Sequence, residues 1–398
     1  MKYLWIGVGT SDERRKYILE NGVKLLSGDV ANDAWLSGLS ANNVFCDTIN
    51  SGRLPTYPAF PEKRVKADEW KYENGAVGYS VSYLNRPYIN LLSKRRALVK
   101  QAKRWAIQNK DEDVTVFVYQ MHTPFMAAAA EVKRVIPNAK IVQIVPDLPQ
   151  YMDMNMSTLK KVLKKLDWHS IKKFMRKTDK YVLYSKHMAS FLKLRDGDWM
   201  VMEGAYDSSL MADDSVLQND KTISIMYSGV IDLRYGIKEL LDALNLLDDN
   251  YELWFTGNGN AVDLIKSRAE VDKRIKYLGY LPTRLDLLNK QKEATMLIST
   301  RDPSEVASVY CFPSKIFEYM VSGNPVLSTR IDGIPEEYFE YIIPLDALDA
   351  EYLATQIRSV ANMSSSERYD FGNKAKLFVL NEKNTTIQTK KVLDFLKG

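Results

Sequence analysis

A lysine stands at the start of a short predicted helix, where a positive charge is normally unfavourable. Ser314 is a suitable N-cap and Gly323 ends the helix, so Lys315 falls in its first turn. Because the amino end of a helix is itself partly positive, a cation there indicates a bound anion such as a diphosphate. Glu318 follows three residues later, and a carboxylate can accept hydrogen bonds from the vicinal hydroxyls of a ribose.

A second candidate phosphate loop follows the predicted strand 223–228. Gly229 comes directly after it, and Arg234 and Gly236 precede a helix. Backbone N–H groups and a guanidinium would then meet at the carboxyl edge of a sheet, where α/β proteins bind phosphates. An ordinary strand-to-helix loop with a solvated arginine explains the pattern equally well, and both interpretations stay open.

The first predicted strand runs into Gly7 and Gly9, which resemble the start of a dinucleotide-binding fingerprint. Asp12 stands where that fingerprint needs its third glycine. We therefore favour a tight turn and disfavour a dehydrogenase, while keeping Gly9 as a candidate substrate contact.

Two polar residues follow predicted strands in the first half of the chain. His122 comes shortly after strand 114–119 and Asp147 after strand 141–145. Both would lie at the carboxyl edge of a sheet, where His122 could position a substrate and Asp147 could contact an acceptor hydroxyl. A turn or cap role for Asp147 is at least as consistent with the sequence.

Strands and helices alternate along nearly the whole chain. This alternation predicts parallel sheets with helices on both faces. Two successive series indicate an α/β protein of two Rossmann-like, doubly wound domains. We expect domains at 1–200 and 201–380, separated near the polar stretch 196–219, and a C-terminal helix within 381–398 that packs back toward the first domain.

The composition is that of a globular protein. The chain has 398 residues, of which 45% are hydrophobic and 26% charged, with a net charge of +5. Cys46 and Cys311 are too few for a disulfide framework or a thiolate metal site. No stretch approaches the roughly 20 apolar residues of a membrane span, and residues 1–6 indicate a buried strand rather than a signal peptide. We therefore expect a cytoplasmic location.

The segment 311–326, Cys-Phe-Pro-Ser-Lys-Ile-Phe-Glu-Tyr-Met-Val-Ser-Gly-Asn-Pro-Val, resembles the retaining glycosyltransferases of family 4, which have the GT-B fold. The likeness continues in the loop 328–336 and covers roughly residues 222–345. It implies two Rossmann-like, doubly wound domains facing each other across a cleft. The domain at 1–200 would bind an acceptor, and the domain at 201–380 would bind a nucleotide-sugar.

The resemblance implies sugar transfer from a nucleotide diphosphate, with UDP expected, to a glycan or lipid-linked acceptor, with retention of configuration. Lys315 and Arg234 would neutralise the leaving diphosphate, so that fixed charges replace a metal or other cofactor. Glu318 would hold the ribose, and His122 would face the donor sugar. Further substrate contacts are expected from Gly9, Asp147, Gly229, Gly257, Leu281, Glu305, Tyr310, Phe312, Pro313 and Ser314.

The sequence departs from the family pattern in three places. Tyr310 stands where many members have a second glutamate, for which the nearby Glu305 is a possible replacement. Val230 and Tyr235 occupy the places of a usual arginine and lysine, so that only Arg234 remains for their phosphate role. These departures leave open a catalytically inactive GT-B-like subunit that binds a partner protein. A sugar-nucleotide epimerase of the same fold fits less well.

The segment 157–177 predicts a basic amphipathic helix with a single acidic residue, Asp167. Apolar residues recur at helical spacing opposite a basic face. This pattern is typical of a helix that binds peripherally to the anionic inner face of a membrane. The alternative is an ordinary domain helix with a solvated basic face. Nucleic acid is not expected, because no binding motif accompanies the charge. The basic residues are Lys160, Lys161, Lys164, Lys165, Lys172, Lys173, Arg176 and Lys177.

Overall fold

The structure, a computed structural model, describes residues 1–23, 27–151, 158–209, 211–212 and 222–398, with the backbone alone at 27 and 158–163. The chain divides into two compact units. Unit 1 comprises Met1–Glu203 and Thr385–Gly398, and unit 2 comprises Gly204–Asn384. Part of the polar stretch 196–219 lies outside the described residues.

Unit 1 alternates strands and helices as far as Glu203. Its strands are β1 (Lys2–Gly7), β2 (Cys46–Asn50), β3 (Arg64–Val65), β4 (Asp68–Lys71), β5 (Val77–Ser80), β6 (Tyr83–Leu84), β7 (Val114–Tyr119), β8 (Lys140–Val145), β9 (Lys180–Leu183) and β10 (Trp199–Val201). Its helices over this range are α1 (Asp12–Glu20), α2 (Ser27–Ala41), α3 (Asn90–Gln108), α4 (Thr123–Val135), α5 (Thr158–Met175) and α6 (His187–Leu192).

The main sheet of unit 1 has the strand order β10-β9-β8-β7-β1-β2-β5-β4. Its pairs are parallel except for β4 with β5. Every residue of β7 is buried, as expected for a central strand covered on both faces. The strand order reverses at β1, which lies between β2 and β7. The loops after β1 and β7 therefore flank a topological switch point, where α/β sheets bind ligands.

Unit 2 continues the alternation. Its strands are β11 (Ile223–Val230), β12 (Tyr251–Asn258), β13 (Ile275–Tyr277), β14 (Met296–Ser299), β15 (Val326–Thr329) and β16 (Ile343–Leu345). Its α-helices are α7 (Ile237–Leu244), α8 (Val262–Val271), α9 (Arg284–Glu293), α10 (Val306–Val309), α11 (Lys315–Val321), α12 (Ala350–Ala361) and α13 (Ser365–Glu382). Two 3₁₀ helices span Leu233–Tyr235 and Glu336–Glu340.

The sheet of unit 2 has the order β13-β12-β11-β14-β15-β16, with all pairs parallel. Alternate residues of β11 point to opposite faces. Ile225 and Tyr227 join the core under α7, α8 and α12, whereas Met226 joins the core under α11 and α13. The switch point here lies between β11 and β14, and α11 begins on its β14 side.

The last helix, α14 (Thr385–Phe395), belongs to unit 1 and packs on α2. Asn42 Nδ2 donates to Thr386 O and to Thr389 Oγ1, each at 2.9 Å. A Cβ on Gly38 would lie 2.5 Å from Thr385 O, so the absence of a side chain there permits the close approach of the two helices.

Candidate functional site

Lys315 is a half-buried cation at the start of α11. Its Nζ lies 3.8 Å from the ring centroid of Tyr227 and 5.7 Å from that of Tyr319. Among the described residues it forms no ion pair with a carboxylate. Burial, and then the charge of Arg301, lower the pKa of Lys315 to about 7. The ammonium is therefore held against two aromatic faces, with its charge uncompensated by the described carboxylates.

Ser314 occupies the predicted N-cap position of α11, but the expectation that its side chain caps the helix is wrong. Its backbone is already helical (φ −54°, ψ −23°), and its side chain makes no capping hydrogen bond. A capping residue needs extended backbone for its oxygen to reach back to the helix amides, so the hydroxyl is instead left exposed. The case for Lys315 as an anion-binding residue therefore rests on its neighbours at the end of the sheet and not on a capped helix end.

Two glycines bring the ends of β11 and β12 close to Lys315. Gly229 has a φ of +119°, and a Cβ there would lie 3.8 Å from Lys315 Cδ. Gly257 pairs with Gly229 in register and has a φ of +130°. A Cβ on Gly257 would come within 1.8 Å of Gly229 O. Both positions need glycine for conformational reasons, and Gly257 also needs it for space.

Arg301 is a second cation at this switch point that sequence reasoning missed. It follows β14, the strand beside β11. Its Nε donates to Ser308 Oγ at 3.1 Å, its Nη1 lies 3.3 Å from Cys311 Sγ, and its guanidinium carbon lies 5.2 Å from the Tyr235 ring centroid. The signal available was its position just beyond a strand, the same signal that drew attention to Gly229.

Arg234 lies in an internal ion pair. Its Nε and Nη2 each donate to the carboxylate of Asp232 at 2.9 Å, and its backbone N–H donates to the same carboxylate at 3.0 Å. The bond from the Arg234 side chain is the main cause that lowers the pKa of Asp232. The side chain of Arg234 is still 48% exposed. Its charge is compensated, so it has less to offer an anion than Lys315 has.

Glu318 faces α9. Its Oε1 lies 3.4 Å from Arg284 Nε, and the Arg284 guanidinium carbon lies 5.6 Å from the Tyr206 ring centroid. Burial raises the pKa of Glu318, while Arg284 and Gln291 act in the opposite direction. Arg284 was also missed, because the pairing of α9 with α11 is not visible in sequence spacing.

The remaining predicted donor contacts have different environments. Phe312 is buried and forms part of an aromatic cluster, with its ring centroid 5.1 Å from that of Tyr338. Pro313 is buried as well, and Tyr310 and Glu305 are half-buried at the two ends of α10. Leu281 is half-buried in the loop before α9. Phe312 therefore has a core environment, and no ligand role is needed to explain it.

In unit 1, His122 lies at the N-cap position of α4, just beyond β7. Its ring centroid is 5.1 Å from that of Phe125. Burial, followed by the charges of Lys94 and Arg53, lowers the pKa of His122 to about 3. The imidazole is thus neutral near pH 7 and can both donate and accept a hydrogen bond.

The other two predicted residues of unit 1 follow β1 and β8. A Cβ on Gly9 would lie 3.1 Å from the side chain of Asn50, and Gly9 lines a surface depression. Asp147 is exposed. Gly9 and His122 flank the switch point at β1, whereas Asp147 follows a strand farther along the sheet.

The basic segment forms α5 and the residues after it. The side chains of Lys160 and Lys161 lie outside the described residues. Asp167 accepts a hydrogen bond from Thr123 Oγ1, and Ile171 is fully buried. Leu166 is 63% exposed. Exposed basic side chains are those of Lys165, Lys172, Lys173, Arg176 and Lys177.

Membrane spans and metal clusters are both missing from the part of the chain that the structure describes. No described helix is both long and apolar enough to cross a bilayer. Within the same part of the chain, no three His, Cys, Asp or Glu side chains converge in a way that could hold a metal ion.

Comparison with known structures identifies the fold. The chain superposes on sucrose-phosphate synthase from Thermosynechococcus elongatus with a TM-score of 0.68 and 12% identity, covering 100% of this chain and 99% of that one. Anabaena HepE in complex with UDP and glucose gives a TM-score of 0.65 at 12% identity, with the same coverage. A point mutant of S. aureus TarM in complex with fondaparinux, α-GlcNAc-glycerol and UDP gives 0.65 at 10% identity and covers 100% of both chains.

Comparison at the sequence level identifies the second unit. No curated protein sequence matches the chain. The family described as glycosyl transferases group 1 matches residues 212–378, which include β11, the glycine pair, Arg301 and Lys315. Residues 212–378 thus form a glycosyl transferases group 1 domain, in a chain that has the GT-B fold.

Proposed function

We propose that this protein transfers a sugar from a nucleotide diphosphate, with UDP as the expected carrier, to a glycan or lipid-linked acceptor. The observation that carries the proposal is the uncompensated ammonium of Lys315, which lies beside Gly229 at the switch point of a glycosyl transferases group 1 domain. The HepE and TarM structures are complexes with UDP, which supports the choice of nucleotide.

The proposed chemistry is electrostatic. Breaking the bond between the sugar and the diphosphate builds negative charge on the departing phosphate. Lys315, with Arg301 close enough to lower its pKa, would stabilise that charge without reorganisation. Glu318, held by Arg284, would accept hydrogen bonds from the ribose. Neutral His122 would position the donor sugar or the acceptor by hydrogen bonding, and retention of configuration rests on the resemblance to family 4.

A donor screen tests the proposal. The chain is incubated with UDP-, GDP- and ADP-sugars, and the released nucleotide is measured. We expect slow release from one nucleotide-sugar, and a loss of about 30-fold or more in nucleotide affinity for Lys315→Ala, because an uncompensated charged contact contributes about 2 kcal/mol or more. Lys374→Ala, an exposed lysine on α13, is the matched control. Binding of no nucleotide-sugar, or equal affinities of the two variants, would refute the proposal.

The proposal includes metal independence. If fixed cations stabilise the leaving group, chelation of divalent metals should leave the rate of nucleotide release unchanged. The same screen repeated in EDTA measures this directly, and a rate that recovers only on adding Mg²⁺ or Mn²⁺ would contradict it.

A second candidate is a GT-B subunit without catalysis. Tyr310, which ends α10 where many family 4 members have a glutamate, is the feature that favours it. Such a protein would bind UDP without releasing nucleotide from any sugar donor. The donor screen therefore separates the two candidates when it is run beside a direct titration with UDP.

A further inference from the structure

Two basic residues of unit 1 have no carboxylate partner among the described residues. Arg53 follows β2, and Lys94 lies in the second turn of α3. Neither forms an ion pair with a described Asp or Glu, and Arg53 makes no hydrogen bond to a described residue. Both are half-buried, so their charges are only partly solvated. An uncompensated, partly desolvated cation is costly unless something else carries the opposite charge.

Lys94 is bonded to the carbonyl group of Gly52, the residue that directly precedes Arg53. Lys94 Nζ donates to the carbonyl oxygen of Gly52 at 3.2 Å and lies 4.5 Å from the ring centroid of Tyr83. The hydroxyl of Tyr83 donates to the same carbonyl at 3.2 Å. Burial, and then the charge of Arg53, lower the pKa of Lys94 to about 8. Each cation thus lies within the electrostatic reach of the other.

Arg53 also opens onto a depression beside the switch point of unit 1. The depression is lined by residues that follow β1, by Arg53 and by the first two helices. Asp33, one of its acidic residues, is already paired with Arg15 at 2.8 Å. The charges of Lys94 and Arg53 also contribute to the lowered pKa of His122. Residues that line the depression with Arg53 include Gly9, Thr10, Arg15, Asp29 and Asp33.

We propose that Arg53 and Lys94 form an anion subsite that binds a phosphate group of the acceptor. The inference rests on the proposed function in one respect, since it takes unit 1 to receive the acceptor. A guanidinium on the loop after β2 and an ammonium on α3 can share one phosphate between a fork of N–H donors and a point charge. The subsite lies at the same edge of the sheet as Gly9 and His122.

The phosphate has two possible sources: a soluble sugar phosphate or a lipid-linked diphosphate. Large exposed apolar side chains immediately precede Lys94 in the chain. Tyr88 is 79% exposed and Leu92 is 56% exposed, and Ile89 and Leu91 are exposed as well. A lipid carrier would find apolar surface beside the cations, whereas a sugar phosphate would use the cations alone. The shared chemistry is the phosphate, and the test has one arm for each source.

The test measures binding of two probes by calorimetry, glucose 6-phosphate in buffer and farnesyl diphosphate in non-ionic micelles. The chain carries Lys315→Ala throughout, so that binding in unit 2 does not obscure the result. We expect at least one probe to bind, and Arg53→Gln or Lys94→Gln to weaken it about tenfold or more. Lys100→Gln, an exposed lysine on the same helix, is the control and should leave the affinity unchanged. Lys94→Arg should retain binding within about threefold.

Each outcome bears on the inference. Binding of farnesyl diphosphate alone that depends on Arg53 and Lys94 assigns the subsite to a lipid-linked acceptor, and dependent binding of glucose 6-phosphate assigns it to a soluble one. Absence of both, or equal affinities in the glutamine variants and the control, overturns it. Because Arg53 makes no hydrogen bond to a described residue, Arg53→Gln should fold even if Lys94→Gln does not. A UDP titration of the unmutated chain reports separately on the proposed function.

Discussion

At the scale of single residues, two cations of unit 2, Arg234 and Lys315, differ in whether a described carboxylate pairs with them. Arg234 is held by Asp232 through two side-chain hydrogen bonds, whereas Lys315 faces tyrosine rings and forms no ion pair with a described carboxylate. An anion that approaches both gains more from Lys315, because the field of Arg234 is largely cancelled by its partner. Lys315 is therefore the residue whose protonation should govern nucleotide binding.

We expect nucleotide affinity to fall as the pH rises above about 7. The pKa of Lys315 is about 7 in the free protein. A bound diphosphate favours the charged amine and raises that pKa, so binding above pH 7 takes up a proton and weakens by up to about tenfold per pH unit. Calorimetric titration with UDP at pH 7.5 and 8.5, where UDP itself is fully ionised, measures the slope.

Lys315→Arg is the control for this pH dependence. A guanidinium stays protonated over the whole range, so the variant should bind UDP with nearly the same affinity at both pH values. An equal slope in the variant and the unmutated chain would show that another group titrates.

Gly257→Ala should destabilise unit 2 by about 3 kcal/mol, because its Cβ would meet Gly229 O and its φ is positive. Gly279→Ala is the matched control. It also has a positive φ, but no atom lies within 4 Å of the added carbon, so a cost of about 1 kcal/mol is expected. Urea unfolding followed by tryptophan fluorescence gives both values. Equal losses would mean that the close approach at Gly257 is unimportant.

Single residues also show where sequence reasoning reached its limit. Lys315 could be singled out because a cation in a first helical turn is locally unfavourable. Arg301 had only the weak signal of its position just beyond a strand, and Arg284 had none. Their partners Cys311 and Glu318 are brought to them by the packing of separate elements. For Arg234, local sequence predicted a free guanidinium, whereas Asp232, only two residues away, pairs with it.

At the scale of elements, α5 has an exposed basic face whose function is still a prediction. Replacing Lys165, Lys172 and Lys173 together by glutamine should weaken binding to anionic vesicles about 100-fold or more, at about 1 kcal/mol for each lysine near the surface. Co-sedimentation with phosphatidylserine vesicles measures this.

The control for α5 is a triple glutamine variant of exposed lysines elsewhere, Lys273, Lys374 and Lys390. It has the same net charge as the test variant, so a general loss of positive charge would affect both alike. If the two variants sediment equally, α5 is an ordinary solvated helix and the membrane interpretation is wrong.

The elements themselves were largely predictable. The apolar pattern predicts a strand at 114–119, and the structure has β7 at Val114–Tyr119. The apolar run is continuous and bounded by polar residues, which gives a clear signal. The start of α11 at Lys315 was predictable as well, but the capping hydrogen bond expected from Ser314 is absent because its backbone is helical. Side-chain type alone does not determine whether a residue at a helix start makes a capping bond.

At the scale of the whole molecule, the α/β class and the GT-B fold are confirmed. The α/β class follows from alternating strands and helices, which leave few topologies open. The GT-B fold was expected from the resemblance of residues 311–336 to family 4. Sequence periodicity could not give the strand order within each sheet. Order depends on which strands meet in three dimensions, and it is the order that places Lys315 and Gly229 on two sides of one switch point.

Deleting Thr385–Gly398 should damage unit 1 and spare unit 2. The deletion removes α14, whose Val392 and Thr389 are fully buried, and uncovers the face of α2 around Gly38. We expect limited trypsin digestion to cleave unit 1 rapidly while a fragment within Gly204–Asn384 persists and still binds UDP. A variant that deletes only Lys397 and Gly398, which are both exposed, is the control. Simultaneous loss of both units would contradict the prediction.

The return of the chain to unit 1 also affects the order in which the two units can fold during synthesis. All of Gly204–Asn384 leaves the ribosome before Thr385–Gly398 does. Unit 2 can therefore complete its core while unit 1, although made first, still lacks the helix that covers α2. We therefore expect the usual order of co-translational folding, with the N-terminal domain finished first, to be reversed for this protein. Until α14 has been made, the face of α2 around Gly38 stays uncovered and can bind other molecules that contact the nascent chain.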